Sequence, residues 1–251
     1  MEFDKKIMEK FRELVRKEKK EGFIRLRLPK HIAVVTAGKG VWARKHKIPK
    51  EEAYEKSYTI IRSTMLSAIR LDIPIVTFYL LSTDMKDLEQ FSILMDSLKD
   101  FFEDLSQREF VHKKQVKISV FGKWYDLPGR VVDSIKKSVE VTKDYDNFFM
   151  NFCINYSGQE EIVDAVKLIA RQIKADKLDV EAVNKELIKE NVYSSYFLPP
   201  DLIIVNGPVK ATGGLMLWDS PKSQIYFTSK LWPDFDKTEF MDAIKEYQKG
   251  K

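Results

Sequence analysis

The sequence predicts a single α/β domain with a mostly parallel central sheet covered by helices, and three observations carry that prediction. Apolar runs at 31–36, 74–81, 115–121, 147–155 and 201–205 alternate with longer stretches of helical periodicity at 51–71, 86–105, 128–143 and 158–174. Strand, helix and strand in repetition require crossover connections, which bury a parallel sheet on both faces. No low-complexity linker or break in composition divides the 251 residues, a length that buries a full core without disulfide or metal staples.

The elements follow in order. Ile7, Phe11, Leu14 and Val15 fall at helical spacing among lysines, arginines and glutamates, so the N-terminal segment 1–22 reads as an amphipathic helix packed on the core. Its basic polar face also suits a membrane surface. The first strand, His31 to Thr36, runs into Ala37-Gly-Lys-Gly-Val-Trp42, where two glycines permit close backbone approach. After the fifth strand comes a glycine-rich loop at 207–214, then short strand candidates at 215–218 and 224–228, and a closing helix at 236–249 beyond Trp232-Pro-Asp-Phe235.

Composition narrows the function. Basic residues outnumber acidic ones 43 to 38, a net charge of +5 spread over short helical runs rather than gathered in one nucleic-acid-binding module. No nucleic-acid partner is expected. The one cysteine, Cys153, lies inside the apolar run Phe148 to Ile154, which excludes a disulfide framework and favours a buried structural thiol. No segment has the roughly 20 apolar residues of a membrane span, and the charged N-terminus is unlike a signal peptide, so a cytoplasmic chain with at most peripheral membrane contact is expected.

Ligands of such sheets sit at the carboxyl ends of the strands. There, Gly38 and Gly40 with Lys39 between them form a candidate anion cradle, to which Trp42, Lys50, Ser82 and Asp84 are added as neighbours. A Gly-x-Gly turn alone is a weak signal, and Ser82 serves equally well as a helix cap. His31, His46 and His112 are not spaced as ligands of one metal, and His31 at a strand start reads as structural. No strand end offers a nucleophile with its base, a metal cluster or an arginine fork. No catalytic residue and no metal site is assigned.

The order of motifs resembles the cis-prenyltransferase family, whose best-known member is undecaprenyl diphosphate synthase. His31-Ile-Ala-Val-Val-Thr-Ala-Gly-Lys-Gly-Val-Trp-Ala43 is similar to the opening H-x-A-x-x-M-D-G-N-G-R-W-A, and "VTFYLLSTD" to L-T-x-Y-x-F-S-x-E-N. Phe148 to Ile162 resembles the segment around N-Y-G-G-R-x-E-I, and Leu231-Trp-Pro-Asp-Phe235 the closing W-P-D-F. The likeness runs in order over residues 30 to 248.

The resemblance implies condensation of isopentenyl diphosphate with an allylic diphosphate, assisted by Mg²⁺ on the first-motif aspartate. It also places charged family positions on uncharged residues of this chain. The aspartate falls on Ala37, the first-loop arginine on Val41, the S-x-E-N asparagine on Met85, the late-loop arginines on Val205 and Ala211, the late serine on Gly213, and the C-terminal metal-binding glutamate on Gln224. The helix-start histidine falls on Tyr54 and its arginine on Lys50. A hard cation thereby loses its carboxylates and a diphosphate loses its bidentate arginines.

The expectation is therefore a degenerate member similar to the Nogo-B receptor type of non-catalytic subunit. Such a chain has no activity or metal of its own. It supports a catalytic cis-prenyltransferase partner that holds Mg²⁺ and makes the polyprenyl diphosphate of a dolichol- or undecaprenol-type carrier lipid. The family pairs through the regions here at 80–110 and 200–235. Two alternatives stand beside it. One is a repurposed enzyme, a cyclase or non-head-to-tail prenyltransferase using Lys39, Lys50, Asp84 and Lys210; the other is a polyprenyl-binding protein whose tunnel would be lined by Leu88, Phe91, Leu94, Met95, Leu98, Phe101 and Phe102.

Overall fold

The computed structural model describes residues 28–84 and 91–250. The amphipathic helix expected at 1–22, and Met85, lie outside the described residues. Among them, β1 (His31–Val35), β2 (Ile75–Ser82), β3 (Val116–Phe121), β4 (Phe148–Tyr156), β5 (Leu202–Asn206) and β6 (Gln224–Thr228) form one sheet in the order β3-β4-β2-β1-β5-β6. Every pairing is parallel. The α/β class and the five main strands fall where the apolar runs place them.

The helices are α1 (Lys39–His46), α2 (Lys50–Arg70), α3 (Phe91–Leu105), α4 (Glu109–Lys113), α5 (Gly129–Val141), α6 (Gly158–Lys174), α7 (Lys185–Asn191) and α8 (Lys237–Lys249). The closing helix expected at 236–249 begins one residue later because Asp236 is its cap: the Asp236 carboxylate accepts from the amide of Glu239.

Alternation along the strands divides the core. One face gathers Phe78, Phe152, Ile61, Met65, Phe102, Ile135 and Trp232 under α2, α3, α5 and α8. The other gathers Tyr79, Cys153, Tyr156, Phe197, Ile203, Val205 and Met216. Cys153 is fully buried, and burial pushes its thiol well up from the ordinary range. Of the stripe expected to line a tunnel, Leu88 lies outside the described residues, while Leu94, Met95, Leu98, Phe101 and Phe102 are buried: Phe101 stacks on Tyr58 with centroids 4.3 Å apart, and Phe102 meets Phe152 at 5.3 Å. These contacts make that part of the stripe core.

The strand expected at 215–218 is a run of turns. Met216 takes a left-handed conformation, with φ 46°, and gives its amide to the Tyr156 hydroxyl at 3.1 Å. Leu215 and Met216 satisfy their apolar side chains by burial beneath the sheet rather than by strand pairing. Among the described residues no helix is long and apolar enough to cross a membrane.

Candidate functional site

At the carboxyl ends of β1 and β2 lies a cavity of about 420 Å³ lined by Thr36, Ala37, Gly38, Lys39, Gly40 and Val41 from the first loop, Arg44, Lys50 and Tyr54 from α1 and α2, and Tyr79 to Ser82 from β2. Its floor is set by a short hydrogen-bonded chain. The Thr36 hydroxyl donates to the Tyr79 carbonyl at 2.7 Å, and the Lys39 ammonium donates to the Thr36 carbonyl at 2.7 Å and to its hydroxyl at 3.0 Å. Lys39 is partly exposed, but its ammonium is held against Thr36, and desolvation by burial lowers its pKa to about 8.

Gly38 caps α1 at φ 95°, and no side chain caps the first turn, so the leading amides of α1 have no capping partner. A Cβ at Gly38 would stand 2.6 Å from Leu231 Cδ2, so the turn needs glycine for space as well as conformation. Four residues after Gly40, Arg44 returns to the same side of α1: a Cβ on Gly40 would lie 3.9 Å from its Nη1. Lys50 opens α2 directly after Pro49. The first turn of α1, Lys39, Arg44 and Lys50 together make an electropositive pocket.

Of the candidates named from sequence, Gly38, Lys39, Gly40, Lys50 and Ser82 line this cavity, as do the altered positions Ala37 and Val41. Trp42 does not. Its indole is buried with Ala43, Ala53, Ile48 and Leu231, donates to Asp234 at 2.7 Å and stacks on His46 at 4.2 Å, so it braces α1. Asp84 is exposed just beyond β2 and is not part of the wall.

Val205 is buried in the second core face, while Ala211 and Gly213 are exposed in the late loop. Gln224 begins β6, opposite Leu202, at the end of the sheet away from the cavity, and donates to the Glu246 carbonyl at 3.0 Å. Within one chain it does not reach the site, because a parallel sheet presents strand starts and strand ends on opposite edges.

The three histidines are apart. The neutral imidazole of His31 is buried between the Leu198 carbonyl at 2.6 Å and the Thr77 hydroxyl at 2.8 Å. Those partners put its proton on Nδ1, because a carbonyl only accepts. Burial lowers its pKa to about 4.

Sequence reasoning did not assign Arg44 or Tyr79 to the site; the i, i+4 spacing from Gly40 on a helix was the available signal for Arg44. It also missed a buried brace behind the cavity. The Tyr156 hydroxyl donates to Glu161 at 2.6 Å, and Glu161, buried, also accepts from the Ser194 amide at 3.3 Å. Ser194 in turn donates to Asp219 at 2.6 Å, which is paired with Lys189 at 2.7 Å. This brace fixes the β4 end against the turns that follow the late loop.

A magnesium ion, which the resemblance implies, does not fit these donors. Among the described residues the cavity wall holds no carboxylate, Ala37 offers a methyl group, and no three or more histidine, cysteine, aspartate or glutamate side chains cluster as metal ligands.

Comparison with known proteins gives the lineage. The family model described as "Putative undecaprenyl diphosphate synthase" matches residues 35–251. The chain is 34% identical, over 88% of its length and 86% of the relative's, to a tritrans,polycis-undecaprenyl-diphosphate synthase (geranylgeranyl-diphosphate specific) of Thermoplasma volcanium. It is 30% identical to an isoprenyl transferase of Oceanobacillus iheyensis over 89% of each chain. In fold it is similar to lavandulyl diphosphate synthase from Lavandula x intermedia, solved in complex with dimethylallyl diphosphate, with TM-score 0.84 and 24% identity over 88% of this chain and 95% of that one.

The relatives named as transferases overturn the expectation that this chain has no activity of its own. Fold, motif order and relatives agree: the chain belongs to the undecaprenyl diphosphate synthase family of cis-prenyltransferases.

Proposed function

We propose that the protein is a prenyl transferase that binds an allylic prenyl diphosphate with its head in the cavity at the ends of β1 and β2. The observation that carries this reading is the convergence of uncapped helix amides, Lys39, Arg44 and Lys50 on one 420 Å³ cavity, with no acidic side chain among the described residues of its wall. The named activities of the relatives support it.

In the reaction, the C1–O bond of the donor breaks and its electron pair leaves with the diphosphate. The double bond of an isoprenoid acceptor supplies the electrons of the new carbon–carbon bond, and a proton leaves the alkylated acceptor. This chain's residues act on the first event. Negative charge grows on the leaving oxygen, and amides and cations already aimed at it lower the barrier without reorganising. Arg44 offers paired N–H donors to phosphate oxygens, and Lys50 a mobile point charge. The Leu80 and Leu81 side of the cavity suits the prenyl carbons and excludes water.

A second reading, in which only one diphosphate takes part, as in a cyclisation or a non-head-to-tail coupling, is favoured by the late loop. Residues 207–214 carry a single cation, Lys210, which is exposed. Incubating the purified chain with geranylgeranyl diphosphate, with and without isopentenyl diphosphate, and identifying products by mass spectrometry separates the two. Chain-extended products only when both substrates are present support the first reading; new hydrocarbon skeletons from the allylic diphosphate alone support the second. Neither binding nor turnover of any allylic diphosphate overturns both.

A further inference from the structure

Taking the cavity as the prenyl diphosphate site, we propose that the diphosphate binds there without a divalent cation, with the Lys39 ammonium as a counter-charge built into the wall. The inference rests on the preceding reading of the cavity and deepens it.

Geometry fixes the charge in place. Lys39 opens α1, and its side chain folds back so that the ammonium meets both oxygens of Thr36, whose hydroxyl is itself anchored on the Tyr79 carbonyl. The cation is thus pinned to the ends of β1 and β2. Those two acceptors use two of the three ammonium N–H groups, leaving one for a ligand.

The surroundings call for an anion. Burial alone governs the titration of Lys39, and no acidic neighbour among the described residues raises it back. A partly desolvated ammonium without a carboxylate neighbour is costly to hold, and a bound anion returns that cost as affinity. Among the described residues the other charged groups on the wall, Arg44 and Lys50, are also cations. A metal ion entering here would meet like charge and the Ala37 methyl, with no carboxylate among the described residues of the wall to offset its desolvation. A diphosphate, by contrast, gains from all three cations and the leading amides of α1.

The test is calorimetric titration of the full purified chain with geranylgeranyl diphosphate in EDTA buffer and in magnesium buffer, with inorganic pyrophosphate as competitor. The expected Kd values agree within about threefold between the two buffers, and pyrophosphate competes in EDTA. Lys39→Met weakens binding in EDTA by about tenfold or more, the loss expected of one charge-assisted hydrogen bond.

Ala37→Asp leaves Lys39 in place but sets a carboxylate beside it. Its affinity in EDTA is expected to fall and to recover on adding magnesium, and this variant decides the matter if thermal unfolding shows that Lys39→Met does not fold. Binding that needs magnesium in the unmodified chain overturns the metal-free site while leaving the transferase reading intact. So does a folded Lys39→Met, or an Ala37→Asp, that binds like the unmodified chain in EDTA, and so does failure of pyrophosphate to compete. Binding in neither buffer overturns the transferase reading as well.

Discussion

The indole N–H of Trp42 donates to Oδ1 of Asp234 at 2.7 Å, joining two segments 192 residues apart in the chain. The bond ties α1, whose first turn lines the cavity, to the turn at Trp232–Asp234, whose Trp232 is completely buried in the core. The cradle is therefore braced from the far end of the sequence. Trp42→Phe keeps the ring and removes the donor, and is expected to cost about 1 kcal/mol of stability. Trp42→Ala, which also empties the packing site, should cost about 3 kcal/mol or more in urea denaturation.

The two glycines of the cradle should respond in opposite ways. Gly38→Ala combines φ 95° with a Cβ 2.6 Å from Leu231 Cδ2, so it should destabilise by about 1–3 kcal/mol and weaken allylic diphosphate binding. Gly40 sits inside α1, where the nearest atom to an added Cβ is the Arg44 Nη1 at 3.9 Å. Gly40→Ala should raise stability by up to about 1 kcal/mol through helix propensity. Paired melting curves of the two variants check the contrast.

Behind the cavity, Tyr156→Phe removes the hydroxyl that joins Glu161 to the Met216 amide. Glu161 is buried, and its carboxyl is already held above the usual range by burial. The variant leaves that acid with the longer bond to Ser194 alone, and a loss of about 2 kcal/mol is expected. Because the brace orders the turns after the late loop, proteolysis near residues 213–219 should quicken in the same variant.

Acid should unfold the protein partly through His31. Its pKa is lowered from 6.5 to about 4 in the fold, so between those values the unfolded chain holds a proton that the folded chain does not. The contribution of neutral His31 is complete above pH 6.5, declines as the pH falls, and levels off below about 4. His31→Gln should flatten this part of the stability curve. Urea midpoints measured from pH 7 to pH 4 provide the check, and an unchanged slope in the variant would assign the acid sensitivity elsewhere.

Much of the fold was legible because burial on both faces writes strands as short apolar runs and helices as longer periodic ones. β1, β2, β3, β4 and β5 lie within a residue or two of the expected runs, and α2, α5 and α6 match their periodic segments closely. Leu215–Trp218 misled for a related reason: apolar residues report burial, and Met216 achieves it in a left-handed turn held by Tyr156. α1 was hidden by the glycines at its start, which suggest loop when read locally, although Gly38 is its cap and Gly40 is inside it.

The site was legible in part. Gly38, Lys39, Gly40, Lys50 and Ser82 come together as the motif order implies, whereas Trp42 turns into the core, Asp84 into solvent and Gln224 to the opposite edge of the sheet. Substitution of charged family positions led the sequence reading to an inactive subunit, because it weighed what each position had lost. It did not weigh where the remaining cations would stand.

By itself the sequence determined the layered α/β architecture, the lineage carried by its motif order, and the absence of a carboxylate at Ala37. Local hydrophobic periodicity and residue identity suffice for those. Only the tertiary structure decided that Lys39 folds back onto Thr36, that Arg44 and Lys50 from two helices face the same cavity, and that Trp42 is a brace. Direction and distance between side chains on different elements depend on how the elements pack, and no stretch of sequence encodes that alone.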